Sequence, residues 1–283
     1  MANLIDCIKS SRLHLLRNAD ITNNSHYAFW KGTGKILLQA HVDTIFPCEN
    51  LKITKNIISG NGLGADDRAG VFTCLHLKEK YPDTPILLTN FEESGGTGMN
   101  KVCFDIAPEI FKDVNLAIAI DRHGCGHYVT YNDLPSKCKK YVNRFGWHEE
   151  NGTFSDIEIF TDFYGIPSIN VSCGYYNEHT KNEYLVIDEL LLTIKRLERM
   201  LMNPIIKRYK PKKQIKNPYY MWNLSDGARQ RFLDDYKEYY DDYYYCPFCY
   251  SDRVEVSDDM CLCWDCGERW NNGQDGQVRI RGI

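Results

Sequence analysis

The sequence predicts an α/β fold whose sheet is mostly parallel and buried. Short apolar runs of strand length, ended by glycine or polar turns, recur along the first two thirds of the chain. Between them lie segments with the apolar periodicity of a helix. This alternation is typical of parallel sheets that are covered by helices on both faces. We therefore predict one large α/β domain over residues 1–206.

The individual elements follow from the same patterns. The predicted strands are residues 26–30, 35–42, 53–58, 85–91, 116–120 and 166–171. The predicted helices are residues 2–18, 67–81, 155–164 and 188–202. In the second of these helices, Val71, Cys74, Leu75 and Leu77 form one apolar face.

Composition restricts the class of protein. Of the 283 residues, 43% are hydrophobic, which is enough for a packed core. The formal charge of −4 disfavours nucleic-acid binding through bulk charge, although it leaves local basic patches open. Most of the twelve cysteines are scattered, unlike those of a disulfide scaffold. With no signal-peptide core and no apolar run of about 18 residues, we expect a cytoplasmic protein without a membrane span.

Five short segments place carboxylates or histidines at predicted strand ends, where an α/β sheet gathers functional groups. They are residues 39–43, 64–67, 90–93, 120–121 and 177–179. Each segment alone has an ordinary explanation, such as a strand pair, a helix cap or a solvated acidic surface. Their succession along one chain indicates a metal site, because imidazole and carboxylate ligands suit zinc or a similar divalent ion.

The spacing within these segments suggests different tasks. His41 and Asp43 share one face of a strand, so Asp43 can orient His41 from behind. Asp66 lies in a glycine-flanked loop, where a carboxylate can approach two metals. Glu92 and Glu93 point apart in an extended segment, so one can bind metal while the other acts as a base. Two metals about 3.5–4 Å apart would polarise a carbonyl and activate water.

These segments also resemble the co-catalytic zinc peptidases, a superfamily that includes peptidase T and the zinc aminopeptidases. The matching stretches, within roughly residues 30–203, are QAHVDT (39–44), GLGADDRAGV (62–71), NFEESGG (90–96), AIAIDR (117–122) and SINVSCGYYNEHTKNEYL (168–185). The resemblance implies a three-layer zinc-peptidase domain, of the phosphorylase/hydrolase-like type, with two zinc, cobalt or manganese ions. Its implied ligands are His41, Asp66, Glu93, Asp121 and His179.

The resemblance also implies a role for each residue. Asp66 would bridge both metals, with His41 and Asp121 completing one site and Glu93 and His179 the other. Glu92 would be the general base that accepts a proton from water and delivers it to the leaving amine. Asp43 would support His41. Tyr175 or Tyr176 would either donate a hydrogen bond to the substrate or pack at the pocket wall.

One difference from the family indicates which of its branches this chain resembles. Peptidase T and similar relatives carry a large lid or dimerisation domain between the positions of Asp121 and His179, where this chain has only 57 residues, 122 to 178. The chain therefore resembles the lid-free aminopeptidase branch, whose members often assemble, so a homo-oligomer remains open. His123, His127 and His148 lie in this segment, and we expect them at the surface or in packing rather than at the site.

The C-terminal cysteines predict a separate zinc ribbon over residues 246–283. Cys246, Cys249, Cys263 and Cys266 form a CxxC…CxxC pair, which is the spacing of a closed structural zinc site. Cys261 either replaces Cys263 or stays a free thiol. Residues 207–245 are predicted to be a linker and a helix rich in Tyr and Asp. Neighbouring acidic residues favour a protein partner for the ribbon over nucleic acid, which is not excluded.

The function that these observations favour is a metallopeptidase, most simply an aminopeptidase, acting on a peptide or small amide. An N-acyl amino acid deacylase or a carboxypeptidase on the same metal site is one alternative. A non-catalytic binding protein that acts through the ribbon is the other, although the complete ligand set and the candidate base argue against it.

Overall fold

The computed structural model describes residues 3–23, 25–131, 134–152 and 154–211, and three C-terminal stretches, 254–256, 260–263 and 269–271. The described residues up to 211, apart from 11–13, belong to one compact unit, and those from 254 onward belong to a second. None of the helices in the described part of the chain is both long and apolar enough to cross a membrane.

An eight-stranded sheet forms the centre of the first unit. In spatial order its strands are β1 (Ile21–Asn23), β2 (Tyr27–Trp30), β6 (Ile86–Thr89), β3 (Ile36–His41), β7 (Leu116–Arg122), β10 (Ser168–Ser172), β8 (His127–Thr130) and β9 (His148–Glu149). The four central strands, β6, β3, β7 and β10, run parallel to one another. Strands β2 and β8 flank them in antiparallel pairing.

Helices cover both faces of this sheet. They are α1 (Leu4–Lys9), α2 (Arg12–Leu15), α3 (Ala65–Lys80), α4 (Thr97–Asp105), a 3-10 helix (Pro108–Phe111), α5 (Ser136–Asn143), α6 (Asp156–Tyr164) and α7 (Ile187–Met202). Strand residues alternate between two apolar cores, so that Leu38 packs with residues of α3 and α7, whereas Leu37 packs with residues of α4 and α6. The prediction of a three-layer α/β fold is thereby confirmed.

A second, four-stranded antiparallel sheet lies beside the start of α3. Its strands are β11 (Tyr175–Tyr176), β12 (Tyr184–Val186), β5 (Ile57–Asn61) and β4 (Glu49–Ile53). Strand β5 leads into the loop before α3, and β12 pairs with β5 through Tyr184 and Ser59. The sheet thus joins the segment before Asp66 to the segment after His179.

Two sequence predictions were wrong in detail. The helix predicted over residues 2–18 is broken at Ser10, whose backbone is extended and whose hydroxyl donates to the Asp6 carbonyl. Serine favours such breaks because its side chain competes for backbone groups. The strand predicted over residues 53–58 is interrupted: Ile53 ends β4, Ile57 and Ile58 begin β5, and residues 54–56 form a turn between them. In this turn Thr54 bonds to the Ile57 carbonyl through both its N–H and its hydroxyl.

The second unit contains a small antiparallel sheet of β13 (Val254–Val256), β14 (Met260–Cys263) and β15 (Arg269–Asn271). Strand β13 follows the first CxxC pair in the sequence. Cys261 on β14 is fully buried. Cys246, Cys249 and Cys266, like the predicted helix rich in Tyr and Asp, lie outside the described residues, and of Cys263 only the backbone is described.

Candidate metal centre

The predicted site residues lie at the carboxyl ends of three neighbouring parallel strands. His41 is the last residue of β3, Glu92 and Glu93 follow β6, and Asp121 is near the end of β7. These ends meet at one edge because the strands are parallel and adjacent. Asp66, at the start of α3, faces the same edge.

The carboxylate of Asp66 lies between two imidazoles. Its Oδ1 is 3.1 Å from Nε2 of His41, and its Oδ2 is 3.1 Å from Nε2 of His179. The two histidines differ in exposure, since His41 is 1% exposed and the side chain of His179 is 52% exposed. One carboxylate therefore presents one oxygen to a buried half of the site and the other to a half that is open to solvent.

A further carboxylate accompanies each imidazole. Oδ1 of Asp121 lies 3.4 Å from Nε2 of His41, and Oε1 of Glu93 lies 2.9 Å from Nε2 of His179. Possible ligand atoms of His41, Asp66 and Glu93 lie within 4.8 Å of one another. The five predicted ligands are thus brought together, and they divide into two sets that share Asp66.

The backbone around Asp66 is specialised. Gly64 adopts φ +69°, and a Cβ there would lie 2.9 Å from the Thr44 side chain, so glycine alone suits this turn. The peptide between Asp66 and Asp67 is cis. Glu183, which is buried, accepts from the N–H groups of Gly64 at 2.6 Å and Asp66 at 2.8 Å. Glu183 was not predicted from the sequence, because its partners lie more than a hundred residues away.

From the sequence, Asp67 was predicted only as a member of the segment 64–67, without a role of its own. In the structure its carboxylate has specific partners. One of its carboxylate oxygens accepts from the His41 N–H at 3.1 Å, and the other accepts from the Gly70 N–H at 3.1 Å. Possible ligand atoms of Asp67, His41 and Asp121 also lie within 4.8 Å of one another. Its carboxylate therefore ties the start of α3 to the end of β3.

Asp43 contacts more of the site than its predicted support of His41. Its Oδ1 lies 3.3 Å from Nδ1 of His41, beside a 3.1 Å contact from that Nδ1 to the Asp43 carbonyl. Its two carboxylate oxygens also accept from the N–H groups of Glu92 at 3.2 Å and Glu93 at 3.1 Å. One buried carboxylate thus positions a ligand of each half-site and the candidate base.

Glu92 and Glu93 lie in a turn, in which the Gly95 N–H bonds to the Glu92 carbonyl, and not in the extended segment that was predicted. Their side chains nevertheless have different partners. Glu93 contacts His179, whereas the carboxylate of Glu92 has no hydrogen-bond partner within the described part of the chain. Burial is the largest influence on Glu92 and raises its pKa to about 9; the charge of His41 opposes this rise, and neighbouring carboxylates add to it. A carboxyl group without a hydrogen-bond partner is available to a molecule in the site.

The pKa values of the two histidines and of Asp121 are shifted because imidazoles and carboxylates lie close together in this cluster. Burial acts to lower the pKa of His41, but Asp121 and the other carboxylates outweigh it and raise that pKa. Hydrogen bonds to Asp66 and then Glu93 raise the pKa of His179 to about 11. Burial raises the pKa of Asp121 to about 6 against the pull of His41. Dense negative charge of this kind is suited to a cation.

The two tyrosines point to opposite sides of β11. Tyr175 is buried and its hydroxyl donates to Oδ1 of Asp121 at 3.3 Å. Tyr176 stacks on Tyr184 and donates to Glu189 at 2.7 Å. Tyr175 therefore contacts a predicted ligand, whereas Glu189 and Tyr184, the partners of Tyr176, are not predicted ligands.

Three histidines of the short segment lie near the surface. His123 is half exposed and its Nδ1 lies 2.6 Å from Glu178, the residue before His179. His127 lies 3.4 Å from Glu150. His148 is exposed on β9. None of the three is grouped with the possible ligands in the described residues.

A buried polar network behind the site was also missed. Asp156 accepts from Gln39 at 2.8 Å and from Thr89 at 2.6 Å. Burial raises its pKa to about 7. The preceding residue, Ser155, donates to Oδ2 of Asp121 at 3.2 Å. These contacts join α6 to the sheet, and no local pattern in the sequence could have indicated them.

The donor atoms are of the kind that binds divalent metal ions. Each half of the site offers one imidazole, one carboxylate of its own and one oxygen of Asp66, and zinc accepts such nitrogen and oxygen ligands. Both imidazoles face the cluster through Nε2, and Nδ1 of His41 is held by Asp43, which is the usual support of a metal-bound histidine.

Comparison with known proteins gives the fold and no closer relationship. No family model and no characterised protein matches the sequence. The TET1 peptidase of Pyrococcus horikoshii matches in structure, with 12% identity, 70% of this chain, 99% of that chain and a TM-score of 0.50. A dodecameric structure named PhTET1-12s has 12% sequence identity and a TM-score of 0.50, and the match covers 70% of this chain and 97% of that chain. For aminopeptidase PepT of Bacillus cereus the identity is 15% and the TM-score 0.49, and the match covers 62% of this chain and 83% of that chain. At these identities the TET1 matches establish a shared fold alone.

Proposed function

We propose that the chain is a dinuclear metal-dependent hydrolase that cleaves amide bonds, and that it acts as an aminopeptidase. The observation that carries the proposal is the position of Asp66, whose two oxygens face two different imidazoles at 3.1 Å each. A carboxylate with this arrangement is suited to bridge two ions. The TET1 peptidase, a solved structure of the same fold, makes amide hydrolysis the reaction to test first.

The proposed ligands follow the two halves of the donor set. His41, Asp121 and Asp66 would hold one ion, and His179, Glu93 and Asp66 would hold the other. When bound, such ions polarise a carbonyl oxygen and lower the pKa of water. Zinc is the simplest occupant, and cobalt or manganese would suit the same ligands.

Glu92 is proposed to move the proton. It would take a proton from the attacking water and deliver it to the nitrogen of the leaving amine. Its pKa of about 9 keeps it protonated at neutral pH, but nearby dications favour the carboxylate form, as a base requires. Tyr175, through Asp121, would help to fix the orientation of that ligand.

The C-terminal zinc ribbon, over residues 246–283, is proposed separately. The antiparallel strands β13 to β15 support a small β module there, and the two CxxC pairs supply four thiolates. The substitution Cys249→Ser is expected to remove one equivalent of zinc from the whole chain without changing peptide cleavage. Unchanged zinc content in this variant would refute the ribbon.

A mass-spectrometric screen tests the proposed activity. The zinc-loaded protein is incubated with a mixed library of peptides and N-acyl amino acids, beside Glu92→Gln and the control Glu198→Gln, which alters only a pair with Lys80 at the surface. Stepwise loss of N-terminal residues by wild type and control, but not by Glu92→Gln, is the expected result.

The same screen distinguishes the other candidates. Loss of C-terminal residues would assign a carboxypeptidase, and release of an acyl group would assign a deacylase on the same site. Equal turnover by wild type and Glu92→Gln would remove Glu92 from the mechanism. A protein that binds no ion at these ligands would refute the dinuclear proposal itself.

A further inference from the structure

Glu183 lies four residues after His179 and is buried, with 4% of its surface exposed. It immediately precedes β12 and is close enough to the cluster for Asp66 to affect its charge. Another buried carboxylate beside this negative cluster is unfavourable by itself, since removing a charge from water is costly. Burial raises its pKa to about 7, and its hydrogen bonds to the N–H groups of Asp66 and Gly64 oppose that shift. The position therefore calls for an explanation through those bonds.

Both oxygens of Glu183 are used on one short loop. Oε2 accepts from the Gly64 N–H at 2.6 Å, and Oε1 accepts from the Asp66 N–H at 2.8 Å. Bonds from N–H groups to a carboxylate are short and roughly twice as strong as neutral ones. The left-handed conformation of Gly64 belongs to the same turn. The two bonds fix the backbone at the residue whose side chain must present one oxygen to each imidazole.

The same contact connects the two half-sites. His179 precedes Glu183 by four residues in the chain, and the loop with Asp66 is bonded to Glu183 through the N–H groups of Gly64 and Asp66. The N–H of Gly62 also reaches the Lys181 carbonyl at 3.4 Å, and β12 pairs with β5 immediately before that loop. Any movement of one loop relative to the other must therefore break the bonds of Glu183.

We propose that Glu183 is a positioning residue that holds Asp66 and His179 in register so that one carboxylate can serve both metal ions. The proposal rests on the dinuclear function proposed above. Glu183 acts on the site through the backbone of Asp66 and is not itself a ligand.

The substitution Glu183→Gln tests this role, because the amide keeps the shape but its NH₂ group faces one of the two N–H donors. We expect zinc affinity to fall by about 10–100-fold, as for other residues that support metal ligands. We expect kcat to fall with it, whereas KM changes less than threefold. The matched control is Glu178→Gln, which removes a neighbouring charge that pairs with His123 and does not contact the Asp66 loop.

A second readout does not depend on metal or activity. In the metal-free protein, residue-resolved hydrogen exchange is expected to show protected N–H groups at Gly64 and Asp66. In Glu183→Gln at least one of them should exchange tenfold faster, while the amide of Thr73 inside α3 keeps its rate. If the variant does not fold, free exchange of both amides in the wild type overturns the proposal, and protection supports it.

Two further results would overturn the positioning role. One is wild-type zinc affinity in Glu183→Gln, and the other is an equal loss of affinity in Glu178→Gln, which would assign the effect to charge alone. A wild-type protein that binds no zinc would instead refute the dinuclear function, while the exchange measurement would still report on the loop.

Discussion

Replacing Asp43 by asparagine examines a part of the site that the structure connects to both half-sites. Its two oxygens accept from the N–H groups of Glu92 and Glu93, and one of them lies 3.3 Å from the ring of His41. In Asp43→Asn, the NH₂ group faces one of these N–H donors whichever way the amide is turned, and in one orientation it also faces the imidazole. Asp43 is 3% exposed, so water cannot replace the lost acceptor.

The magnitude follows from that lost bond. A buried donor left without its partner costs about 1–3 kcal/mol. For a domain of this size, that corresponds to a fall in Tm of about 2–12 °C. The displaced ligands should also weaken zinc binding by about 10–100-fold, as is usual when the support of a ligand is removed.

The assay compares thermal unfolding of the zinc-loaded proteins and zinc affinity measured by competition with a chromophoric chelator. Asp20→Asn is the matched control, because Asp20 also accepts from a backbone N–H, that of Lys31 at 2.7 Å, but at an exposed position. We expect a stability change below about 0.5 kcal/mol there. Equal Tm and zinc affinity in Asp43→Asn and wild type would refute the reasoning.

Three further predictions concern catalysis, packing and pH. Glu92→Gln should lower kcat by about 10²–10⁴-fold in peptide cleavage, the usual contribution of a general base, while equilibrium dialysis shows unchanged zinc content; loss of zinc would make Glu92 a ligand. Gly70→Ala should lower Tm, because its Cβ would clash with Asp67 and the Ile120 carbonyl; an unchanged Tm would contradict that packing. Burial, aided by Lys101, lowers the pKa of His26 to about 4. Between pH 6.5 and 4 the imidazole is therefore protonated in the unfolded state but not in the folded state. The free energy of unfolding thus falls as the pH drops from 6.5 toward 4. Urea unfolding of the metal-free protein should lose about 3 kcal/mol more in wild type than in His26→Asn across that range, and parallel curves would exclude the shift.

The fold class was predictable because it depends on local patterns. Strands such as Ile36–His41 and Ile86–Thr89 are apolar runs of strand length, and the parallel sheet follows from their alternation with helices. The gathering of His41, Asp66 and Asp121 was also predictable, since each follows a strand or tight loop that ends at one edge of the sheet.

The contacts that support these residues were not predictable. Glu183 bonds to Asp66 across 117 positions, and Gln39 bonds to Asp156 across the same separation. Such contacts depend on the register of strands and on loop geometry, which local patterns do not specify. Adjacency predicts that Tyr175 and Tyr176 point apart, but it cannot say which of them contacts Asp121.

The break at Ser10 illustrates a different limit. The apolar periodicity of residues 2–18 continues through it, so a single helix is the natural prediction. The helix nevertheless ends there, because the Ser10 backbone turns to an extended conformation at ψ 146°. Its N–H still makes the last helical bond to the Asp6 carbonyl, and its hydroxyl donates to the same oxygen, a side-chain bond that weakens helices at serine.

The zinc content of wild type and Asp66→Ala tests the central claim most directly. Both proteins are loaded, dialysed and measured by elemental mass spectrometry, and the difference between them cancels zinc held by the C-terminal cysteines. We predict a difference of two equivalents, because the loss of Asp66 removes an oxygen from both half-sites. A difference of zero would contradict a metal site at Asp66, and a difference of one would contradict the bridging role that the dinuclear account requires.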